Sequence, residues 1–186
     1  MHETRLAKPA DESRLAATVT VAFQNDPAFR AFFGGPEFDR LARDFATDLL
    51  GRRIATASVW TNDDCSAVAM WDPPRGTVDR PASTLTLPDE ARQRLADYDD
   101  RVHAALPAEP HWYLGILASH PSRRGEGLAR MVAEPGLARA AADGVPAVLE
   151  TTNRDNVALY RRSGWELMAV VENVIGLTVW VMRSER

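Results

Sequence analysis

A loop rich in arginine and glycine joins an apolar segment to a helical segment, and it limits the possible folds more than any other feature. The apolar segment covers residues 111–118, and the loop at 121–127 reads PSRRGEG. Glycine permits backbone conformations that other residues avoid, and a helix N-terminus presents unpaired N–H groups with a partial positive charge. This strand, loop and helix therefore predict a site for a phosphate or pyrophosphate.

The order of the other segments predicts a mixed α/β fold around one central sheet. A strand at 111–118, a helix at about 126–142 and a strand at 147–151 form a strand–helix–strand unit, which predicts a parallel pair. Short strands at 58–60 and 67–71, and at 166–171 and 177–183, predict antiparallel hairpins. We expect a mostly antiparallel sheet with one parallel strand–helix–strand core, in a single domain over residues 1–186.

The first half of the chain predicts helices that each bury one apolar face. Asp11 is expected to cap a helix that carries Leu15 and Val19 on one side, and Pro27 is expected to end that region. Further helices are predicted after Pro36 and over about 91–102. The proline-rich segment 72–88 is predicted to be a surface connection.

Composition and charge argue against several classes of protein. The formal net charge of −4 is unlike that of a general nucleic-acid binder, which is usually basic. No run approaches the roughly 20 apolar residues that span a bilayer, and the charged N-terminus lacks the apolar core of a signal peptide. The single cysteine, Cys65, cannot form an internal disulfide, so we expect a cytoplasmic location. Because no Cys/His cluster has zinc spacing, no metal site is predicted.

Two kinds of nucleotide or cofactor site have glycines in a loop of this kind. Gly125 and Gly127 begin a dinucleotide-binding pattern, but Arg130 stands where its third glycine or alanine should fall. By contrast, Arg124-x-x-Gly127-x-Ala129 resembles the acyl-CoA signature, Gln/Arg-x-x-Gly-x-Gly/Ala, of the GCN5-related N-acetyltransferases, the GNAT family. The loop therefore resembles an acyl-CoA site more closely than a dinucleotide site.

The resemblance extends beyond the loop. Asn153, Asn156, Tyr160 and Gly164-Trp165 match the Asn-x-x-Ala-x-x-x-Tyr-x-x-x-Gly-Phe region of the family. Phrases such as Trp112-Tyr113-Leu114 and Leu149-Glu150-Thr151 resemble puromycin N-acetyltransferase and its relatives. The resemblance is tight over about 110–165 and loose before that. Segment 72–108 and the final strand match poorly, and these regions help to shape an acceptor pocket, so the acceptor stays open.

The resemblance implies that acetyl-CoA is the cofactor. Because coenzyme A is anionic and the chain is negative overall, binding must depend on a local arrangement of N–H groups, the helix dipole and the guanidinium of Arg123 or Arg124, with Arg124 favoured by its place in the motif. The family also implies strand-like pairing of the pantetheine arm at the end of the apolar strand, where Ser119-His120 departs from the usual small and apolar residues. The predicted cofactor-binding residues are Leu117, Ala118, Ser119, Arg124, Gly125, Glu126, Gly127, Leu128, Ala129 and Asn156.

Tyr160 and Glu150 are the predicted catalytic residues. The resemblance implies that Tyr160 is the acid for the departing sulfur, and a phenol with a pKa of about 10 holds its proton at neutral pH; the alternative is a tyrosine that only packs. Glu150 ends an apolar strand, where burial would raise its pKa toward that of a useful base. It could instead bind the ammonium group of the substrate or cap the turn at Asn153.

These features predict an acetyl-CoA-dependent N-acetyltransferase. We expect transfer to the amine of a small molecule, resembling an antibiotic or metabolite, by direct attack in a ternary complex. The chain is expected to be a monomer or homodimer with no nucleic-acid or membrane partner. Two alternatives stay open: a protein or peptide N-acetyltransferase, and a non-catalytic acyl-CoA sensor, which would need neither Tyr160 nor Glu150.

Overall fold

The computed structural model describes residues 3–185, which form a seven-stranded sheet and six α-helices. The strands are β1 (Thr4–Leu6), β2 (Val59–Asn62), β3 (Ala67–Asp72), β4 (Trp112–Ser119), β5 (Ala147–Thr151), β6 (Glu166–Val174) and β7 (Leu177–Ser184). The helices are α1 (Glu12–Ala22), α2 (Pro27–Phe33), α3 (Phe38–Ile54), α4 (Asp89–His103), α5 (Leu128–Ala142) and α6 (Arg154–Arg162). No helix within 3–185 has the length and apolar character to cross a membrane. Met1, His2 and Arg186, at the ends of the predicted domain 1–186, lie outside the described residues.

The sheet has the strand order β1-β2-β3-β4-β5-β7-β6, and its neighbours are antiparallel except for β4 and β5. The segment between those two parallel strands contains α5. One buried core lies between the sheet and helices α1–α4, and a second lies between the sheet and α5. The predicted fold class, a mostly antiparallel sheet with one parallel strand–helix–strand unit, is confirmed.

A bulge in β4 changes the face of the sheet to which its side chains point. Leu114 pairs with Trp71 of β3, whereas Ile116 pairs with the preceding residue, Met70, so Gly115 has no opposite residue. Leu114 packs in the core beneath α5, and Ile116 packs in the core of α1–α4. An extra residue of this kind bends a strand. Here the bend falls where β4 leaves β5.

Strands β4 and β5 separate after three residue pairs. Trp112–Leu114 pair with Ala147–Leu149, and no later residue of β4 pairs with β5 among the residues described. β4 continues to Ser119 beside β3 alone, while the end of β5 pairs with β7. The peptide groups on the open side of β4 therefore lack a strand partner beyond Leu114, and a cleft opens between the two strands.

Two turns that precede helices differ from the predictions. α1 ends at Ala22, before Pro27 as expected. Pro27 also begins the unpredicted helix α2, because the Asp26 carboxylate accepts hydrogen bonds from two N–H groups of the first turn at 3.0 and 3.1 Å. Asp11 does not cap α1 with its side chain. Its carboxylate accepts instead from the N–H of Lys8 at 2.8 Å and pairs with Arg5 at 2.7 Å.

The packing of α5 against the sheet depends on Gly136. A β-carbon at this position would lie 2.1 Å from a ring atom of Trp71, which is fully buried. Real β-carbons do not approach other heavy atoms so closely, so the helix backbone lies against the indole only because Gly136 has no side chain. The contact fixes how closely α5 packs on β3.

The connection at 73–88 contains no helix or strand, as predicted, and polar contacts attach it to the body of the protein. Arg80 pairs with Asp72 at 2.8 Å, and the same carboxylate accepts from Arg53 at 2.6 and 2.8 Å. Farther along, the Ser83 hydroxyl donates to Asp48 at 3.0 Å. These contacts hold the connection against α3 beside the cleft.

Candidate active site

A cavity of about 360 Å³ lies where β4 and β5 separate. Residues of β4, β5 and α6 line one part of the cavity, and residues of α2, α3, α4 and the end of α1 line the rest. Sites for small molecules usually occupy about 300–1,000 Å³. The cleft is therefore large enough to hold a small reacting group with part of its carrier.

Glu150 brings a carboxylate into this cavity. Side chains alternate along a strand, and since Leu149 packs beneath α5, Glu150 points to the other face, where it lines the cavity. Burial raises the pKa of Glu150 to about 7, although hydrogen bonding to the carboxylate partly offsets the effect. A carboxylate with this pKa is partly ionised at neutral pH and is a much better base than an exposed glutamate.

Tyr113 is a neighbour of Glu150 for which the sequence predicted no role in the site. Its hydroxyl donates a hydrogen bond to Oε2 of Glu150. Tyr113 pairs with Val148 in the parallel register, and Glu150 lies two residues farther along the same face of β5. Burial, together with the Glu150 carboxylate, raises the pKa of Tyr113 well above its ordinary value, so the phenol remains a donor. The pair arises from the register of β4 against β5, which no local sequence pattern contains.

Tyr160 borders the same cavity from α6. Its ring contacts Trp165 edge to face, with the ring centroids 6.0 Å apart. Burial, and to a smaller extent Glu150, raise the pKa of Tyr160 to about 12. Its hydroxyl makes no hydrogen bond to any residue of 3–185. The structure therefore brings the two predicted catalytic residues into one cavity, with the Tyr160 proton available.

Asn156 also lines the cavity, and its amide donates to the Thr151 hydroxyl at 3.4 Å. Asn153 caps α6 by accepting from the N–H of Asp155 at 3.0 Å. The N–H of Asn153 donates to Thr151 at 3.2 Å. The alternative role of Glu150, capping this turn, is therefore not observed.

The loop before α5 holds backbone N–H groups that have no protein acceptor. Gly125 and Gly127 have φ angles of +90° and +74°, which favour glycine, so α5 begins at Leu128 and not at the predicted residue 126. Among the backbone N–H groups of residues 124–129, those of Arg124 and Glu126 donate within the turn at 3.3 and 3.4 Å. The other four, those of Gly125, Gly127, Leu128 and Ala129, have no acceptor among residues 3–185.

The two arginines of the loop differ in their partners. The Arg123 guanidinium pairs with Glu126 at 2.7 Å and with Asp64 at 2.7 Å. These carboxylates raise the pKa of Arg123. Arg124 is exposed and has no ion pair in the described part of the chain. Of the two, Arg124 therefore has the positive charge available to an anion.

The predicted strand residues Leu117, Ala118 and Ser119 lie along the cleft at the end of β4. Each pairs with β3 on one side only, and Leu117 also lines the cavity. The other side of this segment is open, as the edge of a sheet is open to an added extended chain. An elongated ligand can therefore pair with β4 between the loop and the cavity.

The family model described as "Acetyltransferase (GNAT) family" matches residues 27–165 of this sequence. The chain belongs to the GNAT acetyltransferase family. The match spans the cavity, β4, the glycine loop, β5 and α6.

Three solved structures share the GNAT fold of this chain. A histone acetyltransferase HPA2 and related acetyltransferase from Corynebacterium glutamicum is 22% identical, with a TM-score of 0.73 and coverage of 98% of this chain and 95% of that one. Polyamine N-acetyltransferase from Drosophila melanogaster is 12% identical, with a TM-score of 0.74 and coverage of 100% of both chains. Arylalkylamine N-acetyltransferase 2 from Aedes aegypti is 11% identical, with a TM-score of 0.70 and coverage of 99% and 98%.

GNAT proteins use acetyl-CoA, and the residues present here fit an elongated anionic cofactor. The open side of β4 offers peptide groups to an extended arm, and the loop offers N–H groups at a helix N-terminus. Arg124 adds a positive charge at the same loop. The cavity with Glu150 and Tyr160, the open end of β4 and the loop thus follow one another in this order.

The far end of the cavity in this GNAT protein is lined by residues that the sequence analysis did not assign to a site. They are Phe23, Asp26, Phe29, Phe32, Phe45, Tyr98 and Asp99. Phe29 and Phe32 lie on α2, the helix that was not predicted, and Asp26 caps it. An aspartate followed by proline and an apolar run is a helix-start signal that could have located α2.

Proposed function

We propose that this protein transfers the acetyl group of acetyl-CoA to the amine of a small molecule, by direct attack in a ternary complex. One observation carries the proposal: one cavity is lined by Glu150, by Tyr160 and by the open end of β4. Its volume of about 360 Å³ suits a small molecule. The similar structures that are named as polyamine and arylalkylamine N-acetyltransferases support an amine acceptor.

The cofactor would be held along the path described above. Leu117, Ala118 and Ser119 would bind its extended arm through the backbone, with Asn156 beside them. The loop from Arg124 through Gly125, Glu126, Gly127 and Leu128 to Ala129 would bind its phosphates through N–H groups and the Arg124 guanidinium. When bound, the cofactor supplies an acetyl thioester with a thiol leaving group.

Glu150 removes a proton from the attacking amine, directly or through water. Its pKa of about 7 makes the ionised form available at neutral pH and still basic enough to accept the proton. The hydrogen bond from Tyr113 holds the carboxylate in place. Glu150 also neutralises part of the charge of an entering ammonium group.

Tyr160 keeps its proton and donates a hydrogen bond to the departing sulfur. With a pKa of about 12 in the cavity, against about 8.5 for an ordinary thiol, full transfer would be uphill by about 5 kcal/mol at 1.36 kcal/mol per pKa unit. This free-energy cost of full proton transfer is larger than the cost for an exposed phenol with a pKa of about 10. Hydrogen-bond donation is therefore the favoured role.

Thiol release from acetyl-CoA, measured with a panel of amines that includes puromycin, tests the proposal. We expect release with at least one amine, and we expect Tyr160→Phe to lower kcat by about 10²–10⁴-fold while acetyl-CoA still raises the melting temperature of the variant. No release with any amine, together with a melting temperature that acetyl-CoA raises, would favour the sensor alternative. Turnover of puromycin itself would support the predicted subgroup.

Arg124→Ala tests the cofactor path. Loss of a charge-assisted bond to phosphate, worth about 1.5–3 kcal/mol, should raise the KM for acetyl-CoA about tenfold or more with kcat little changed. Arg43→Ala is the matched control, because Arg43 is exposed on α3, on the opposite face of the sheet from α5. Equal KM values for both variants would remove Arg124 from the cofactor site.

A further inference from the structure

Aromatic side chains from α2, α3, α4 and the end of α1 form one end of the cavity. Phe29 and Phe45 meet edge to face, with centroids 5.7 Å apart and planes at 75°. Phe32 and Tyr98 meet in the same way, at 5.0 Å and 82°. Leu49 and Leu95 add further apolar surface to this end. We define the rings of Phe23, Phe29, Phe32, Phe45 and Tyr98 as the aromatic wall.

The aromatic wall and Glu150 lie in one continuous cavity. Aromatic rings prefer edge-to-face or offset contacts with other rings, and such contacts add about 0.5–1.5 kcal/mol to the effect of burial. An apolar part of a cavity wall is poorly hydrated and favours an apolar group. The aromatic wall therefore suits an apolar ring, and Glu150 suits a polar group of the same molecule.

The unpaired charges that face this space are negative. One oxygen of Asp26, Oδ1, accepts two N–H groups of α2, and the other has no hydrogen-bond partner within the described residues. Asp99 likewise lines the cavity without an ion pair within 3–185. Three arginines also line the cavity: Arg53 and Arg80 share the Asp72 carboxylate, and Arg52 pairs with Asp48 at 3.0 Å. The four carboxylates of the lining, together with Asp48, outnumber these three guanidiniums, so the cavity favours a cation over an anion.

We propose that the acceptor is an arylalkylamine, in which a saturated chain joins a primary amine to an aromatic ring. The inference rests on the proposed function and specifies its substrate. The amine nitrogen forms a bond to the acetyl carbon, the C–S bond breaks, and its electron pair leaves on sulfur. The proton lost by nitrogen passes to Glu150. Tyr160 donates a hydrogen bond to the departing thiolate and keeps its own proton, and the thiolate takes up through water the proton that Glu150 received, so amine and thioester give amide and thiol.

Thiol release by the full chain with four amines tests the inference. At saturating acetyl-CoA, we expect 2-phenylethylamine to show a kcat/KM at least about tenfold above that of butylamine. We expect 2-cyclohexylethylamine to be several-fold poorer than 2-phenylethylamine, and spermidine to be poorer still. Turnover of butylamine or spermidine at or above the rate for 2-phenylethylamine would overturn the aromatic acceptor and leave the proposed function standing. No release with these four amines, when another amine of the wider panel is acetylated, would overturn the aromatic acceptor alone. No release with any amine would overturn both.

Two variants on α3 test whether the ring of the acceptor lies against the aromatic wall. Phe45 is half-buried and lines the cavity, whereas Phe38 is buried outside the lining and packs under Arg30. We expect Phe45→Leu to lower the ratio of kcat/KM for 2-phenylethylamine to kcat/KM for butylamine about tenfold, and Phe38→Leu to leave this ratio unchanged. If Phe45→Leu fails to fold, Phe23→Leu, at another half-buried ring of the wall, replaces it. An unchanged ratio of the two amines in a folded wall variant would contradict the placement.

Discussion

The raised pKa of Glu150 makes the effect of Glu150→Gln on stability a quantitative prediction. The ordinary pKa of the side chain is 4.5, and in the cavity it is about 7. At 1.36 kcal/mol per pKa unit, this difference corresponds to about 3 kcal/mol. Because the pKa is higher in the folded state, ionisation disfavours folding as the pH rises from 4.5 through 7, and below 4.5 the carboxyl group is neutral in both states. Glutamine has the same shape, carries no charge and still accepts from Tyr113.

We therefore expect Glu150→Gln to raise the free energy of unfolding by up to about 3 kcal/mol at pH 8 and to leave it within about 0.5 kcal/mol at pH 4. Urea unfolding at the two pH values measures this difference. Glu166→Gln, at an exposed position at the start of β6, is the matched control and should change stability little at either pH. An equal effect of Glu150→Gln at both pH values, or a loss of stability at pH 8, would refute the argument from burial.

The same variant separates stability from activity. If Glu150 is the base, wild-type kcat/KM rises with pH through an ionisation near 7, the pKa of this carboxyl group. Glu150→Gln should lose about 10²–10⁴-fold in kcat/KM and lack that limb of the pH profile. A protein that becomes more stable at pH 8 as it loses activity would show that the charge is retained for chemistry. A limb near pH 7 that persists in the variant would assign the ionisation to another group.

Two further changes test the strand register and the packing of α5. Tyr113→Phe removes a hydrogen bond that lowers the pKa of Glu150, so the ionisation in the kcat/KM profile should move to higher pH; an unmoved profile would leave Tyr113 with a packing role alone. Gly136→Ala should lower the free energy of unfolding by about 2–3 kcal/mol, since the new methyl group overlaps a buried indole. Gly51→Ala, also within a helix, should be neutral or stabilise by up to about 1 kcal/mol, because its nearest neighbour is the flexible end of Glu12. Urea unfolding compares the two glycine variants, and equal effects would contradict the contact with the indole.

Much of the local structure could be predicted because it depends on neighbours in the chain. The period of apolar residues located β5 at 147–151, and Gly125 and Gly127 marked a loop whose positive φ angles other residues avoid. The missed element is α2, which begins at Pro27 because Asp26 before this proline supplies a cap. Asp11 shows the reverse error, since a residue type that suits a cap bonds elsewhere when a nearby arginine competes for it.

The candidate site depends on contacts between distant segments, which no local pattern contains. Gly115 forms a bulge because of how β4 pairs with β3, and the early separation of β4 from β5 opens the cleft. Tyr113 meets Glu150 through strand register, and burial, not residue type, raises the pKa of that carboxyl group. Residue order along the chain thus specified the elements and the anion-binding loop. The cavity, its aromatic wall and its base exist only after folding, because desolvation and pairing arise from the packing of residues that are far apart in sequence.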